Sequence, residues 1–248
     1  ASRGFFLKPN IVFPVSPRSG QITRPVVVSA VVKTLRERYS DVPIIIGEGT
    51  AAGTRPEENF AVSGYLDLAG ELGVQLLNLD LVERKKIPWE YGEIEIPSIA
   101  FELVHINLPS LKISSAAIFS GAIKNIKGLV PPAKKKQFHR MGLHKPLAEL
   151  GKIVNPDITI LDCYNFFRKR NIFLSGTNTC DIDTLAAKLL NIEEPEYLRI
   201  LKKQGIATEH GVVVNEDLLR FDSQRRFQEK YKNFMNIRLW SNPRACSL

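Results

Sequence analysis

Residues 5–49 read FFLKPNIVFPVSPRSGQITRPVVVSAVVKTLRERYSDVPIIIGEG, and this stretch decides the fold class. Phe5-Phe6-Leu7 is an apolar run that stops at Lys8-Pro9-Asn10, as a short buried strand would. Thr23 followed by Pro25 reads as an N-cap and an early helical proline. Val28, Val31, Val32 and Leu35 then recur at i, i+3, i+4 and i+7 and carry one helix to about Tyr39. Pro43-Ile44-Ile45-Ile46 is the next strand, ending at Gly47-Glu48-Gly49. Strand and helix patterns in alternation predict an α/β protein with a mostly parallel sheet flanked by helices in Rossmann-like layers.

The alternation continues outward. A helix is expected from about Glu57 to Leu72, closed by Gly73, and Val74–Leu79 reads as a strand. Glu93-Ile94-Glu95-Ile96 alternates as a half-exposed strand and Leu103–Leu108 as a buried one. Pro146–Val154 and Thr184–Leu190 read as helices, Ile158–Leu161 and Ile172-Phe173-Leu174 as strands, and Asp222–Leu239 as a peripheral helix. One α/β domain over residues 1–248 is expected, with a charge break near residue 110 that would suit a subdomain boundary.

Composition sets the outer bounds. The chain has 248 residues, 44% hydrophobic and 24% charged, which is ordinary globular usage. No run approaches about 18 apolar residues, so no membrane span is expected. The N-terminal Ala1-Ser2-Arg3-Gly4 lacks the long apolar core of a secretory leader, which is absent or already removed. Cys163, Cys180 and Cys246 are too few and too scattered for a disulfide framework, which favours a cytoplasmic setting.

The net charge of +8 is unevenly spread: residues 1–110 carry 11 Lys/Arg against 13 Asp/Glu, and residues 111–248 carry 23 against 13. Between Lys112 and Lys145 there are eight basic residues and no acidic one, with His139 and His144 in the same window. Such a segment attracts anions. Nucleic-acid binding is the weakest use of it, because aromatic residues are only 8% and no known binding module is present.

In open α/β sheets ligands bind beyond the carboxyl ends of the strands. Four strand ends carry polar or glycine punctuation: Lys8-Pro9-Asn10, Gly47-Glu48-Gly49, Asp162-Cys163 and Ser175-Gly176-Thr177-Asn178. Their convergence on one crevice is expected, with Lys8, Asn10 and Thr177 contributing to binding and Asp162 facing the cavity. Glu48 is expected as an exposed carboxylate serving as general base or ligand. Gly121-Ala122-Ile123-Lys124-Asn125-Ile126-Lys127-Gly128 reads as a flexible loop whose N–H groups, Asn125, Lys124 and Lys127 could meet a phosphate or carboxylate. Lys124 is expected either to position an anion or to act as nucleophile or base. His139 and His144, beside lysines, should resist protonation, and a neutral imidazole suits a base or a donor. Lys134, Lys135 and Lys136 form a run expected to face mostly solvent.

Leu7-Lys8-Pro9-Asn10, Thr23-Arg24-Pro25, Ile46-Gly47-Glu48-Gly49, Gly121–Gly128 with Leu129-Val130-Pro131, Phe138-His139 to His144, Ile160-Leu161-Asp162 and Gly176-Thr177 to Asp183 follow in an order that resembles the uncharacterised domain-of-unknown-function family 362. The resemblance spans nearly the whole chain. It implies an α/β fold and iron–sulfur company, because members are often fused to or associated with ferredoxin-type segments. Two departures stand out. Lys112-Ile113-Ser114 lies where members commonly show Lys-Thr-His, and Gly176-Thr177-Asn178-Thr179 replaces Gly-Thr-Asp-Pro. The Gly121–Pro131 stretch is also similar to a segment of the nickel-pincer lactate racemases, where a lysine carries the cofactor. Lys124 would be that lysine, with Ser114 in place of a histidine ten residues before it.

The leading expectation is therefore an enzyme-like domain that takes a small anionic substrate or cofactor, its reaction unspecified. Lys124, His139, Glu48 and Asp162 are the candidate catalytic residues. Lys8, Asn10, Lys112, Asn125, Lys127, Gly128, His144 and Thr177 are the candidate binding residues. The alternative is a redox or cluster-assembly component whose partner is a ferredoxin-like domain or protein. A 4Fe-4S cluster would then lie in a segment beyond Cys246, and none is expected in this chain alone, because usual clusters want four thiolates.

Overall fold

A computed structural model describes residues 4–50, 53–114, 116–164, 172–208 and 212–214. The elements run β1 (Phe5–Pro9), α1 (Pro25–Arg38), β2 (Ile44–Glu48), α2 (Pro56–Val62), α3 (Tyr65–Leu72), β3 (Gln75–Asn78), β4 (Arg84–Trp89), β5 (Gly92–Pro97), α4 (Ile99–Glu102) and β6 (Val104–Leu108). Then come β7 (Lys112–Ser114), β8 (Ile118–Ser120), α5 (Ala122–Ile126), α6 (Pro132–Arg140), α7 (His144–Ile153), β9 (Ile158–Asp162), β10 (Phe173–Gly176), α8 (Thr179–Leu190), α9 (Glu196–Lys203) and β11 (Val213–Val214).

The main sheet has the order β11-β10-β9-β6-β1-β2-β3. The strands from β9 across to β3 are all parallel, as the alternating pattern predicts. The chain winds from β1 outward through β2 to β3, then returns to place β6 on the other side of β1. The winding therefore reverses between β1 and β6, and a doubly wound sheet opens its ligand crevice at that place.

Side chains alternate across the sheet with period two, which gives two cores. Phe5, Leu7, Ile44, Ile46, Ile106 and Leu108 point toward Val28 and Val32 of α1 and Tyr65 and Leu68 of α3. Phe6, Leu161 and Leu174 point to the other side, toward α5, α7, α8 and α9. Each such fully buried apolar side chain contributes about 1.5–3 kcal/mol. Lys8 follows Phe6 by two and so lies on the second side, a charge inside a core.

Several local readings need correction. Arg24, not Thr23, stands at the N-cap of α1 and makes no capping hydrogen bond with its side chain. The Thr23 hydroxyl instead donates to Leu108 O of β6 and accepts from Asn10 N. The single helix expected over Glu57–Leu72 is two, because Gly64 adopts φ 75 and turns the chain between α2 and α3. β4 carries no strong alternation and was missed; it pairs with β5 as a separate ribbon. The tail expected as a helix over Asp222–Leu239, and Cys246, lie outside the described residues.

Two corrections bear on the site. β10 runs antiparallel to β9, with Phe173 opposite Asp162 and Gly176 opposite Thr159. The Gly176–Asn178 turn thus leaves at the amino-terminal edge of β9, away from the other strand ends, and Thr177 does not join them. Gly121–Gly128 is also not an open loop: it holds α5 and a short 3-10 turn over Lys127–Leu129. The N–H groups of Ala122 and Ile123 are already bound to Asp183 of α8, at 2.6 and 3.1 Å. Gly121 is required there, since a Cβ would fall 2.1 Å from Asp183 Oδ1. Asp183 lies beyond the first turn of α8, which holds Asp181, and Asn178 caps the helix.

Burial pushes the Asp183 carboxyl up to about 7, against the lowering effect of the Ala122 and Ile123 N–H groups and the Tyr197 hydroxyl. A folded-state value above the unfolded one makes this group's contribution fall as pH rises from about 4 to 7. Asp183→Asn puts an NH2 donor where one of those N–H groups needs an acceptor, and the expected cost is about 1–3 kcal/mol. It should also remove this group's share of the pH slope. Chemical denaturation at pH 5 and pH 7.5 checks both; an unchanged slope would assign the pH dependence elsewhere.

Candidate functional site

The carboxyl ends of β1, β2 and β6 meet around one buried ion pair. Lys8 Nζ donates to Glu48 Oε1 at 2.7 Å and to Pro9 O at 2.8 Å. Glu48 Oε1 also accepts from Gly49 N at 2.9 Å, and Oε2 accepts from Ile11 N at 2.8 Å. The two side chains are 0% and 1% exposed, so the expectation of an exposed, available Glu48 is wrong. Its carboxylate is engaged by three donor groups and lacks open access. Burial lowers the Lys8 ammonium, and Glu48 works against that shift. Gly128 closes the pair from above: a Cβ there would fall 2.7 Å from Lys8 Nζ and 2.9 Å from Glu48 Oε1. The glycine expected to cradle a ligand cradles the ion pair.

Beside it runs a chain of amides. Asn10 Nδ2 donates to Asn125 Oδ1 at 3.1 Å; Asn125 Nδ2 donates to Lys8 O at 3.0 Å and to Asn107 Oδ1 at 2.8 Å. Asn107 Nδ2 reaches Ala122 O and Thr159 Oγ1. These amides tie α5 down over the reversal between β1 and β6. Asn125 and Asn10 were expected here and Asn107 was not, although an asparagine inside the buried run Val104–Leu108 was a usable signal.

Four further lysines stand around this base. Lys112 Nζ donates to Asn10 Oδ1 at 2.7 Å and Gln21 O at 2.6 Å. Part of its stem is exposed, yet protein crowds the ammonium; burial first, then the charges of Lys124 and Lys8, lower it to about 7. Lys124 Nζ donates to Ser114 Oγ at 2.5 Å. Lys127 Nζ lies 2.9 Å from His139 Nε2. Lys135 Nζ donates to Thr50 O at 2.6 Å, and burial lowers it to about 8. The expectation of a solvent-facing run therefore fails at Lys135, whose ammonium α6 brings onto the Thr50 carbonyl, and Lys134 is half-buried as well. Lys136 is exposed.

His139 stands exposed at the end of α6, and partial burial with Lys127 and Lys124 nearby lowers its pKa. A neutral ring accepting from Lys127 through Nε2 must carry its proton on Nδ1. His144 opens α7, and its ring stacks on Tyr197 of α9 at 5.9 Å; burial is the main cause of its lowered pKa. Asp162, expected to face the cavity, is committed to a bidentate pair with Arg24 at 2.8 and 2.9 Å and accepts from Tyr164 N. The Arg24 guanidinium lies 3.9 Å from the Tyr164 ring centre. This clip joins the end of β9 to the start of α1. The exposed Thr177 lies at the other edge of the sheet.

Neither of the described thiols fits a metal cluster. Cys163 and Cys180 are buried, and burial raises both, Cys180 to about 12. Among the described residues no group of three or more His, Cys, Asp or Glu is arranged to hold a metal ion. At position 114, where the racemase likeness implies an imidazole, a serine hydroxyl accepts from Lys124, so that cofactor's histidine is not supplied.

The profile of the "Domain of unknown function (DUF362)" matches residues 6–188, the part that holds most of β1, the ion pair, α5 and most of α8. The chain belongs to the DUF362 family. The "Thylakoid-associated protein sll1697" of Synechocystis sp. (strain ATCC 27184 / PCC 6803 / Kazusa) is a DUF362-domain chain's relative by sequence, 31% identical over 175 residues. That alignment covers 63% of this chain and 50% of the relative, so this DUF362 protein spans about half the relative's length. No solved structure matches significantly. No helix among the described residues is long and apolar enough to cross a membrane.

Lys8→Met would leave a buried carboxylate without its cation, and removing one partner of such a pair costs about 3–5 kcal/mol. The expected result in a urea melt is a loss of that size, against less than about 1 kcal/mol for the exposed Lys136→Met. Similar midpoints for the two variants would mean that the Lys8–Glu48 pair does not hold the fold together.

Proposed function

We infer that this DUF362 domain binds a small anion, a phosphate or a carboxylate, at the carboxyl ends of β1 and β6, in the manner of an enzyme's substrate or cofactor site. The observation that carries the reading is Lys112. Its ammonium is enclosed, its hydrogen bonds go to the neutral oxygens of Asn10 and Gln21, and no described carboxylate lies within salt-bridge distance of it. Glu48 is the nearby counter-charge, and it is already shared with Lys8. Lys124 adds a second positive group close enough to depress Lys112 further. An enclosed excess of positive charge is unfavourable alone and favourable around an anion.

Lys124, Lys127 and His139 supply the outer donors in this reading, and Asn10 and Asn125 fix the floor. Asp162, Glu48, His144 and Thr177 are not assigned to the ligand: the first two are committed to ion pairs, the third packs on Tyr197, and the last lies elsewhere.

The test is a thermal melt with sulfate, whose charge is constant between pH 6 and 9, at matched ionic strength. A one-site ligand at about 100 times its Kd adds about 2.7 kcal/mol. Stabilisation should be lost in Lys112→Ala and kept in Lys136→Ala. An anion raises the pKa of the ammonium it meets, so binding takes up a proton above the free value of about 7. Affinity should therefore be highest below pH 7 and fall by up to about tenfold per pH unit above it. Equal stabilisation of wild type and Lys112→Ala would move the anion to the solvated surface of α6.

A further inference from the structure

The β7–β8 hairpin carries a feature that anion binding does not need. Ser114 of β7 pairs with Ile118 of β8, and Ile118 sits at φ 67. A β-branched residue in the left-handed region is a conformational outlier, and such strain persists where the surroundings over-determine it, often beside reacting groups. From α5, Lys124 Nζ meets Ser114 Oγ at 2.5 Å. Lys112 and Ser114 are two apart in one strand, so both project from the same face toward α5. A serine hydroxyl, a lysine amine in contact with it and a second ammonium beside them form a compact group on β7 and α5.

We propose that Ser114 and Lys124 are a serine–lysine dyad for acyl transfer, with Ser114 Oγ as nucleophile, Lys124 Nζ as proton acceptor, and an ester or thioester of an anionic acyl group as substrate. The dyad rests on its own geometry, and only the charge of the substrate comes from the anion-binding reading. The Lys112 and Lys124 ammonium groups repel each other, and the anionic group of the substrate, seated on Lys112, holds the proton there, so the proton released from the pair is that of Lys124. With Lys124 neutral, its amine takes the hydroxyl proton as Ser114 Oγ bonds to the carbonyl carbon. The tetrahedral oxyanion then expels the alcohol or thiol, which receives that proton from Lys124. Water, the one co-reactant, attacks the acyl-serine with Lys124 again as base. The C–O bond to Ser114 breaks, the carboxylic acid departs, and the hydroxyl is restored. The Lys112 ammonium on the same strand face lowers the energy of the developing oxyanion.

The whole chain is incubated with diisopropyl fluorophosphate, an uncharged phosphorylating probe, and separately with the p-nitrophenyl ester of succinic acid. The expected result is one covalent phosphoryl adduct per chain, mapped to Ser114, forming faster as pH rises. Turnover of the ester should fall by about 10²-fold or more in Ser114→Ala and in Lys124→Arg, the latter keeping the charge and losing the base. Absence of an adduct, an adduct on another residue, or unchanged labelling in Lys124→Arg would overturn the dyad. Sulfate stabilisation is read on the same wild-type preparation. Stabilisation without an adduct removes the dyad and leaves the anion site. An adduct on Ser114 without stabilisation supports the dyad and removes the anion site. The wild-type mapping stands even where a variant fails to fold.

Discussion

The ammonium of Lys8 and the carboxylate of Glu48 meet inside the protein, at the carboxyl ends of two neighbouring strands. Moving either charge alone out of water costs several kcal/mol, and the pair is tolerable only because hydrogen bonds complete it. Those bonds reach far. Ile11 N and Gly49 N bring both strand-exit loops onto Glu48, and the bare backbone of Gly128 brings the segment after α5 down over Lys8. Asn125 then takes the carbonyl of Lys8 as its acceptor, so α5 is registered against the same strand. The position of Lys124, one residue earlier on that helix, follows from this anchoring.

A charged pair in that place is also a choice against a purely apolar junction. Leu or Met at both positions would leave Ile11 N and Gly49 N without the acceptor they now share. The polar layer is continuous from Glu48 through Lys8, Asn125 and Asn107 to Thr159. Each member is oriented by the next, so a basic group at its rim is held by packing and not by solvent. That is the preorganisation a binding site needs.

The fold was largely legible because apolar runs and helical spacing are local signals. The strands Phe5–Leu7, Ile44–Ile46 and Ile158–Leu161 and the helix after Pro25 were found from such signals alone. Direction is not local: Ile172–Leu174 reads as a strand whichever way it runs, so its antiparallel pairing, and with it the place of Thr177, could not be read. Burial of charge is hidden for the same reason. A glutamate between two glycines reads as a turn, and only the distant Lys8 and Gly128 make it an interior group. The basic segment was correctly singled out, but its sorting was not. Which lysine of Lys134–Lys136 turns inward depends on the phase of α6 and on Thr50, some 85 positions away in sequence.

The amide bridge between Asn10 and Asn125 spans 115 positions of chain, and the one from Asn125 to Lys8 O spans 117. Contacts of such separation must wait for the loop between them to close, which makes them late events in folding. During synthesis β1, α1, β2, α3 and β3 can emerge and pack on one another while Lys8 still lacks its roof. Until α5 arrives, the growing chain carries a parallel sheet with one uncovered face and a half-solvated charge at its centre. Such a species exposes apolar surface and unpaired strand edges. The order of the sequence therefore makes the candidate site the last part of this half of the protein to become dry, and the stage before that the one at which a nascent chain is most open to chaperones or to misassembly.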